Sequence, residues 1–400
     1  MTNSIQDKRR ALIVAGETSG DHHGAGLVRA ARKIDPDLSF FGVGGKSLEA
    51  AGCEILIPND QLMVTGLVEV VARFPIIRRV FNRLKGILKN PEPPDLLVLI
   101  DYPDFNLRLA RHAQRAGIPV LYFVSPQVWA WRKNRIHRIA KVVDRLAAIL
   151  PFEPAIYNGL DIEVEYVGNP LLDDMTEIRN RTEYLADLDI DPSSTVVGLF
   201  TGSRENEVRY NLDTIIGAAR CIREEKPETV FLLPLAPSLD AALVTGKAQR
   251  SSLPIFIVQD NIYDIANACD AVIAVSGTVT LQVALANTPM VIMYKVSPVT
   301  FSIAKRIINV PHVGLVNIVA GSGVVQELIQ DEAIPEAIAR EILRILDDQD
   351  YREKIEEGLS DVRDKMGEPG CSFRVAKMAS EMSRGVRRTE TGGQRSEIDA

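Results

Sequence analysis

The sequence lacks the features that would place it in a membrane or in an oxidising compartment. No apolar run approaches the ~18 residues of a membrane span, so any membrane contact must be peripheral. The first ten residues are polar and have no apolar core of the secretory type, which fits a cytoplasmic chain. Cysteine is scarce: Cys53, Cys221, Cys269 and Cys371 are scattered, without a CxxC pair. They offer neither a disulfide framework nor a paired metal motif, and read as reduced structural thiols. Two nucleotide signatures are missing as well. The turn at Gly16 does not have GxGxxG spacing, and in Gly45-Lys46-Ser47 the first P-loop glycine is replaced by Phe40. A dinucleotide fingerprint and an ATP-binding loop are therefore excluded at those places.

Negative charge is locally absent too. No acid occurs between Glu69 and Glu92, and Val70–Val143 holds fourteen Lys/Arg against four Asp/Glu, in a chain whose net charge is −7. A basic surface on an acidic protein calls for an anionic partner. On charge alone, a membrane surface, a phosphorylated substrate and a nucleic acid all stay open. Within the basic stretch, Phe74–Lys89 reads as an amphipathic helix with Pro75 in its first turn. Phe74, Ile77, Phe81, Leu84 and Leu88 recur on one side; Arg78, Arg79, Arg83, Lys85 and Lys89 fall on the other. Such a helix either covers a core or lies on an anionic monolayer. The only two tryptophans, Trp129 and Trp131, share a loop with Arg132. They suit lipid headgroups or sugars, or a packed aromatic cap.

What is present is strand–helix alternation over 400 residues, enough for two α/β domains. Short apolar runs at 11–15, 39–43, 96–100, 120–124, 145–150 and 163–167 read as strands of a first domain, residues 1–172. Runs at 195–200, 229–234, 255–258, 271–275, 290–294 and 313–316 give a second, residues 173–349. Helices follow at 335–348, 351–365 and 373–382. Those from about 350 are expected to return to the first domain, with a disordered tail from 383 to 400.

The strand ends carry the candidate chemistry. Val196–Phe200 stops at Thr201-Gly202-Ser203-Arg204 and a helix follows. Glycine lets backbone N–H groups approach a ligand, a helix N-terminus suits a phosphate, and a guanidinium matches its oxygens. Ala271–Val275 ends likewise in Ser276-Gly277-Thr278, so two helix N-termini are available for one diphosphate. The segment Asn261–Ala268 offers a surface for a base. In the first half, Ala11–Ala15 runs into Gly16-Glu17-Thr18-Ser19-Gly20-Asp21, where Ser19 or Asp21 is expected to cap the helix. Gly24 and Gly26 within that helix call for close packing or a ligand, and His22 and His23 read as packing. Leu96–Ile100 delivers Asp101, a candidate general base, with Asp104 as a helix cap. The DxD segments 187–189 and 189–191 precede a strand and read as solvated surface, leaving no clear metal site.

Together these residues resemble the lipid-A-disaccharide synthase family. The carrying motifs are Val14-Ala15-Gly16-Glu17-Thr18-Ser19-Gly20-Asp21, Ile100–Asn106, Val124–Arg132, Gly202-Ser203-Arg204, Ser276-Gly277-Thr278 and Asn317–Gly321, over about Leu12 to Glu381. The resemblance implies a GT-B fold, two Rossmann-like domains facing across a cleft. It implies an inverting, metal-independent transfer without cofactor, from UDP-2,3-diacylglucosamine to 2,3-diacylglucosamine 1-phosphate. It points to Asp101 as the base, to Arg204 and Asn317 as important, and to Gly16, Glu17, Ser19 and Gly20 at the site. Gln282 stands where many GT-B enzymes place a ribose-binding glutamate. The partner becomes the inner face of the cytoplasmic membrane, met through Arg78, Arg79, Phe81, Trp129, Trp131 and Arg132, rather than nucleic acid; a homodimer stays open. The alternatives are a UDP-N-acetylglucosamine 2-epimerase on the same fold and a non-catalytic anionic-lipid-binding protein.

Overall fold

The structure, a computed structural model, describes residues 8–63, 67–130, 134–175, 178–237, 239–307 and 310–385. The chain divides into two units at Asp173/Asp174 and again at Glu368/Pro369. The first unit holds seven parallel strands: Arg9–Ala15 (β1), Leu38–Gly44 (β2), Glu54–Pro58 (β3), Leu96–Ile100 (β4), Val120–Phe123 (β5), Arg145–Ala148 (β6) and Glu163–Tyr166 (β7). They are ordered β3-β2-β1-β4-β5-β6-β7. Alternate residues serve opposite faces, as the strand period requires. Leu12, Val14, Leu97 and Leu99 pack with Val80, Leu84, Leu109 and Ile139 from the helices Leu67–Ile87, Pro103–Arg115 and Arg135–Val142. Ile13, Leu96, Val98 and Ile100 pack with Leu27, Val28, Val375 and Ala379 from the helices Thr18–Ile34 and Cys371–Arg384. A fully buried Leu or Ile contributes roughly 1.5–3 kcal/mol, whereas an exposed ion pair contributes about 0–1. The covered faces therefore hold the sheet, and explain why its central strands read as unbroken apolar runs.

The C-terminal helix is fixed at both ends. The Asp173 carboxylate accepts the N–H groups of Gly370, Cys371 and Ser372 at 2.5, 3.0 and 2.7 Å. Buried Asp35 accepts from Arg9 at 2.7 Å and from Ser380 at 2.5 Å. These donors hold the Asp35 carboxyl below its ordinary range against the opposing effect of burial. A Cβ on Gly26 would stand 2.5 Å from Ser372 Oγ, so that glycine serves packing and not a ligand.

The second unit holds six parallel strands: Val196–Phe200 (β8), Val230–Pro234 (β9), Ile255–Val258 (β10), Ala271–Val275 (β11), Met290–Tyr294 (β12) and Glu327–Ile329 (β13), ordered β10-β9-β8-β11-β12-β13. Four expectations change. Residues 313–316 are not a strand; the helix Leu315–Ala320 occupies that place, and the edge strand is β13. A short apolar run has no period long enough to separate the two. β3 escaped the sequence reading altogether. The basic helix starts at Leu67, not Phe74, and runs through Pro75. The missing N–H of an interior proline is costly, and Val80 and Leu84 in the core offset it. The helix Gln349–Met366 stays in the second unit, and only Pro369 onward joins the first.

Each sheet reverses its direction of growth once, between β1 and β4 and between β8 and β11. In open α/β sheets, ligands bind at the carboxyl ends of strands flanking such a reversal.

Candidate functional site

The first reversal brings Gly16, Glu17 and Asp101 together, since Ala15 pairs with Ile100 in the register. The backbone turns sharply as β4 ends. Asp101 and Tyr102 take φ of 43° and 48°, and Val124, at the end of β5, takes 66°. A non-glycine residue in that region costs on the order of 1–2 kcal/mol, and such strain concentrates at functional sites. Here it is held in place by the buried Asn106 amide, which donates to the Asp101 carbonyl at 2.7 Å, and by the Tyr122 hydroxyl, which donates to it at 2.5 Å. Burial first and the Asp101 charge second push the Tyr122 pKa well up, so the phenol remains a donor. Tyr102 lies over Gly16, where a Cβ would meet its ring at 2.8 Å, and its hydroxyl donates to the Leu62 carbonyl at 2.9 Å. Asp101 is partly exposed, whereas Asp104 does not cap its helix; Tyr102 is the cap and Asp104 pairs with Arg135 at 2.6 Å.

Around this strand end the expected caps exchange places. Glu17 is the N-cap of Thr18–Ile34, Ser19 is exposed and Gly20 is buried. Asp21 turns away to accept the N–H groups of Gly45, Ser47 and Leu48 at 2.6, 3.0 and 3.2 Å. The Gly-Lys-Ser turn thus has an internal carboxylate on its N–H groups, in keeping with the rejection of a P-loop.

The second reversal brings Gly202, Ser203 and Arg204 beside Ser276 and Gly277, since Phe200 pairs with Ala274. Arg204 is the N-cap of the 21-residue helix Glu205–Glu225. Its guanidinium is 73% exposed and pairs with Glu207 at 3.1 Å. Gly202 has φ of 90°, and a Cβ there would stand 2.5 Å from Glu207 Oε2, so only glycine fits both the turn and the neighbour. Buried Asn211 ties this helix to β12, donating to the Lys295 carbonyl at 3.2 Å and accepting its N–H at 2.9 Å. Ser276 donates to the Val313 carbonyl at 3.0 Å, Gly277 borders open space, and Thr278 is exposed. The helix that follows, Val279–Leu285, has seven residues, so its N-terminal dipole is weaker than expected.

Gln282 is hydrogen-bonded to the hydroxyl of Tyr263, a buried residue of the helix Ile262–Asn267. Asn317 is fully buried and internally used. Its amide donates to the Val325 carbonyl and to Glu327, both at 2.8 Å, and its oxygen accepts from the N–H groups of Val324 and Val325. It shapes the turn into β13 and presents no group outward. Two of the DxD carboxylates serve local structure, Asp187 pairing with Arg179 and Asp191 accepting from Ser193, while Asp189 takes a φ of 56° in the turn. Among the described residues no cluster of His, Cys, Asp or Glu is arranged to hold a metal.

Of the lipid-facing candidates, Arg78 and Arg79 are exposed and Phe81 packs edge-on against Phe105. Trp131 and Arg132 lie outside the described residues. Trp129 turns inward, edge-on to Phe152, with its indole nitrogen enclosed. The indole lies beside the buried Glu153 and favours its ionised form. Sequence reasoning missed Glu153. Burial pushes its pKa up to about 7, against the N–H groups of Leu150, Trp129 and Ile149, and the Asp101 charge adds to the rise. It also missed Tyr122, Asn106 and Glu207, since their roles exist only across strands or turns.

A family model described as lipid-A-disaccharide synthetase matches residues 11–380. The lipid-A-disaccharide synthase of Syntrophotalea carbinolica is 56% identical over 96% of this chain and 98% of the relative. That of Geobacter sulfurreducens is 50% identical over 93% and 97%. Among solved structures, a UDP-GlcNAc 2-epimerase from Neisseria meningitidis bound to UDP-GlcNAc matches with a TM-score of 0.61 at 14% identity, over 93% of this chain and all 100% of that one. The calicheamicin glycosyltransferase CalG4 matches with a TM-score of 0.59 at 16% identity, over 94% and 98%. Likeness to the epimerase is thus likeness of fold, whereas the curated relatives are similar along almost the whole sequence.

Proposed function

The chain belongs to the lipid-A-disaccharide synthase family and is a glycosyltransferase of the GT-B fold class; from that premise we infer how its own residues carry the reaction. The donor is UDP-2,3-diacylglucosamine and the acceptor 2,3-diacylglucosamine 1-phosphate. The products are a β-1,6-linked disaccharide 1-phosphate and UDP. The Asp101 carboxylate takes the proton of the acceptor's 6-hydroxyl as that oxygen attacks the anomeric carbon from the face opposite UDP, which inverts the configuration. The strained turn of Asp101 and Tyr102, held by Asn106 and Tyr122, fixes where that carboxylate starts from.

Leaving UDP gains negative charge on its diphosphate. Arg204, the Gly202–Ser203 backbone and the N-terminus of Glu205–Glu225 supply donors to it, and their preorganisation lowers the barrier. Glu207 holds the guanidinium until the diphosphate replaces it. Gln282 keeps part of its amide for a ribose hydroxyl while Tyr263 orients it. Asn317 acts at one remove, by ordering the turn behind the second reversal. No helix among the described residues is long and apolar enough to cross a membrane. The lipid substrates are met instead by peripheral contact of the first unit's basic surface with the inner face of the cytoplasmic membrane.

The observation that carries this reading is the register. It sets a strained aspartate beside Gly16 in one sheet, and a Gly-Ser-Arg loop beside Ser276 in the other, each at a reversal of strand order. Mass spectrometry of the products from UDP-diacylglucosamine and its 1-phosphate acceptor tests it. A disaccharide 1-phosphate with stoichiometric UDP is expected; free UDP with an epimerised sugar and no disaccharide would contradict it.

A further inference from the structure

The first unit carries a basic groove whose residues have no part in the steps described above. It is a cavity of about 440 Å³, walled by Phe81 and Leu107 and rimmed by Arg108, Arg111, Arg115 and Arg138. Helix geometry places three of these arginines. Positions 108, 111 and 115 recur at three- and four-residue steps and so share one face of Pro103–Arg115, while the opposite face buries Phe105, Leu109, Ala110 and Ala113. Arg138 comes from the helix Arg135–Val142 packed alongside. Among the described residues, no carboxylate stands at ion-pair distance from these four guanidiniums. The acid on the rim, Asp104, is engaged by Arg135. His112, in the same groove, has its pKa pushed down by burial and then by Lys85, Arg115, Lys89 and Arg111. That lowering registers the positive field of its neighbours.

Gathered like charges destabilise a fold, and an anion with several oxygens relieves them. The planar fork of arginine matches phosphate in particular. The apolar wall indicates what carries that phosphate. Phe81 follows Phe74 by two helical turns, so the two share a face about 10 Å apart along the axis. Phe74 is 56% exposed and Ile76 37%, with Arg78 and Arg79 next to them. An interfacial helix sinks its apolar side about 5–10 Å past the headgroups. With Phe74 at the acyl boundary, the groove falls at the level of the phosphates.

We propose that this groove is a binding site for a phosphate group carried on a lipid at the membrane surface. It rests on the reading of the first unit as the side that meets lipid. The ligand is either the phosphate of the glycolipid acceptor or the headgroup of a bilayer phospholipid, and two measurements separate them. The full-length protein and its triple variant Arg108→Gln/Arg111→Gln/Arg115→Gln are compared in binding to phosphatidylcholine vesicles with and without phosphatidylglycerol. They are compared again in transfer kinetics, with acceptor presented in neutral detergent micelles. Thermal unfolding checks the fold, and the corresponding triple Lys variant restores the charge. A loss of roughly fivefold per arginine, about a hundredfold in all, is expected in one arm, and the Lys variant recovers most of it.

Loss confined to anionic vesicles assigns a phospholipid headgroup; a rise in acceptor KM in micelles, with donor KM unchanged, assigns the acceptor's phosphate. Wild-type behaviour of the triple Gln variant in both arms overturns the proposal, and so does a loss seen only in binding to single-stranded RNA. Absence of disaccharide from the wild-type protein would count against the synthase reading instead, while the vesicle arm would still judge the groove.

Discussion

The two strand reversals start from the same sheet arrangement and are finished in opposite ways. At the first, the proposed base, Asp101, sits on a strained turn whose carbonyl is gripped by a buried amide and a buried phenol, and a second acid, Glu153, is enclosed nearby. At the second, the guanidinium is largely in water and Gly277 faces open space. The contrast matches what each end is proposed to handle. Proton transfer needs one oxygen held in one place. A leaving diphosphate must be bound and then released, which suits an exposed Arg204 paired with Glu207. An exposed pair of this kind contributes little to stability, about 0–1 kcal/mol, and its loss to a ligand costs the fold little.

The contrast breaks most visibly at Asp101. Asp101→Asn preserves shape and removes the proposed base; turnover is expected to fall about 10²–10⁴-fold, read in a radiolabelled transfer assay. The enclosed side is tested next by Glu153. A carboxyl whose folded pKa lies at about 7, above its ordinary 4.5, favours folding only while protonated. Stability from this group is greatest below pH 4.5, falls as pH rises toward 7, and is level beyond. The drop is on the order of 3 kcal/mol. A urea-denaturation series should show that slope in the wild type and lose it in Glu153→Gln.

On the open side, Arg204→Ala removes charged hydrogen bonds worth about 1.5–3 kcal/mol, so UDP affinity should drop roughly 10- to 100-fold, with the melting temperature hardly moved. The smallest effect compares two glycines of that side. Gly202→Ala meets both a left-handed backbone and Glu207, and should destabilise the unit by about 1–2 kcal/mol and weaken UDP. Gly277→Ala enters open space and should leave the melting temperature unchanged.

Most of this frame is legible in the sequence, because buried parallel strands write themselves as apolar runs and their ends carry the polar residues. Asp101, Gly16 and Ser276 are each the first polar or small residue after such a run, and Arg204 closes the short polar loop that follows another. What eluded reading is set by partners remote in sequence. Asp21 looks like a cap for its own helix until the Gly45–Leu48 turn is brought to it. Asn317, marked as important by resemblance alone, shows its contacts only once the Val324–Glu327 segment folds over it. Trp129 looks like a lipid anchor until Phe152 and Glu153 turn it inward. Residues 313–316 failed for a local reason, since an apolar run interrupted by Gly314 suits a strand as well as a short helix.

The most direct test of the division of labour is calorimetric titration of UDP into Asp101→Asn, alongside its turnover. UDP affinity equal to that of the wild type, with transfer nearly abolished, is the result this account predicts. Loss of UDP affinity in step with turnover would contradict it, and would make Asp101 a residue of the fold instead of the base.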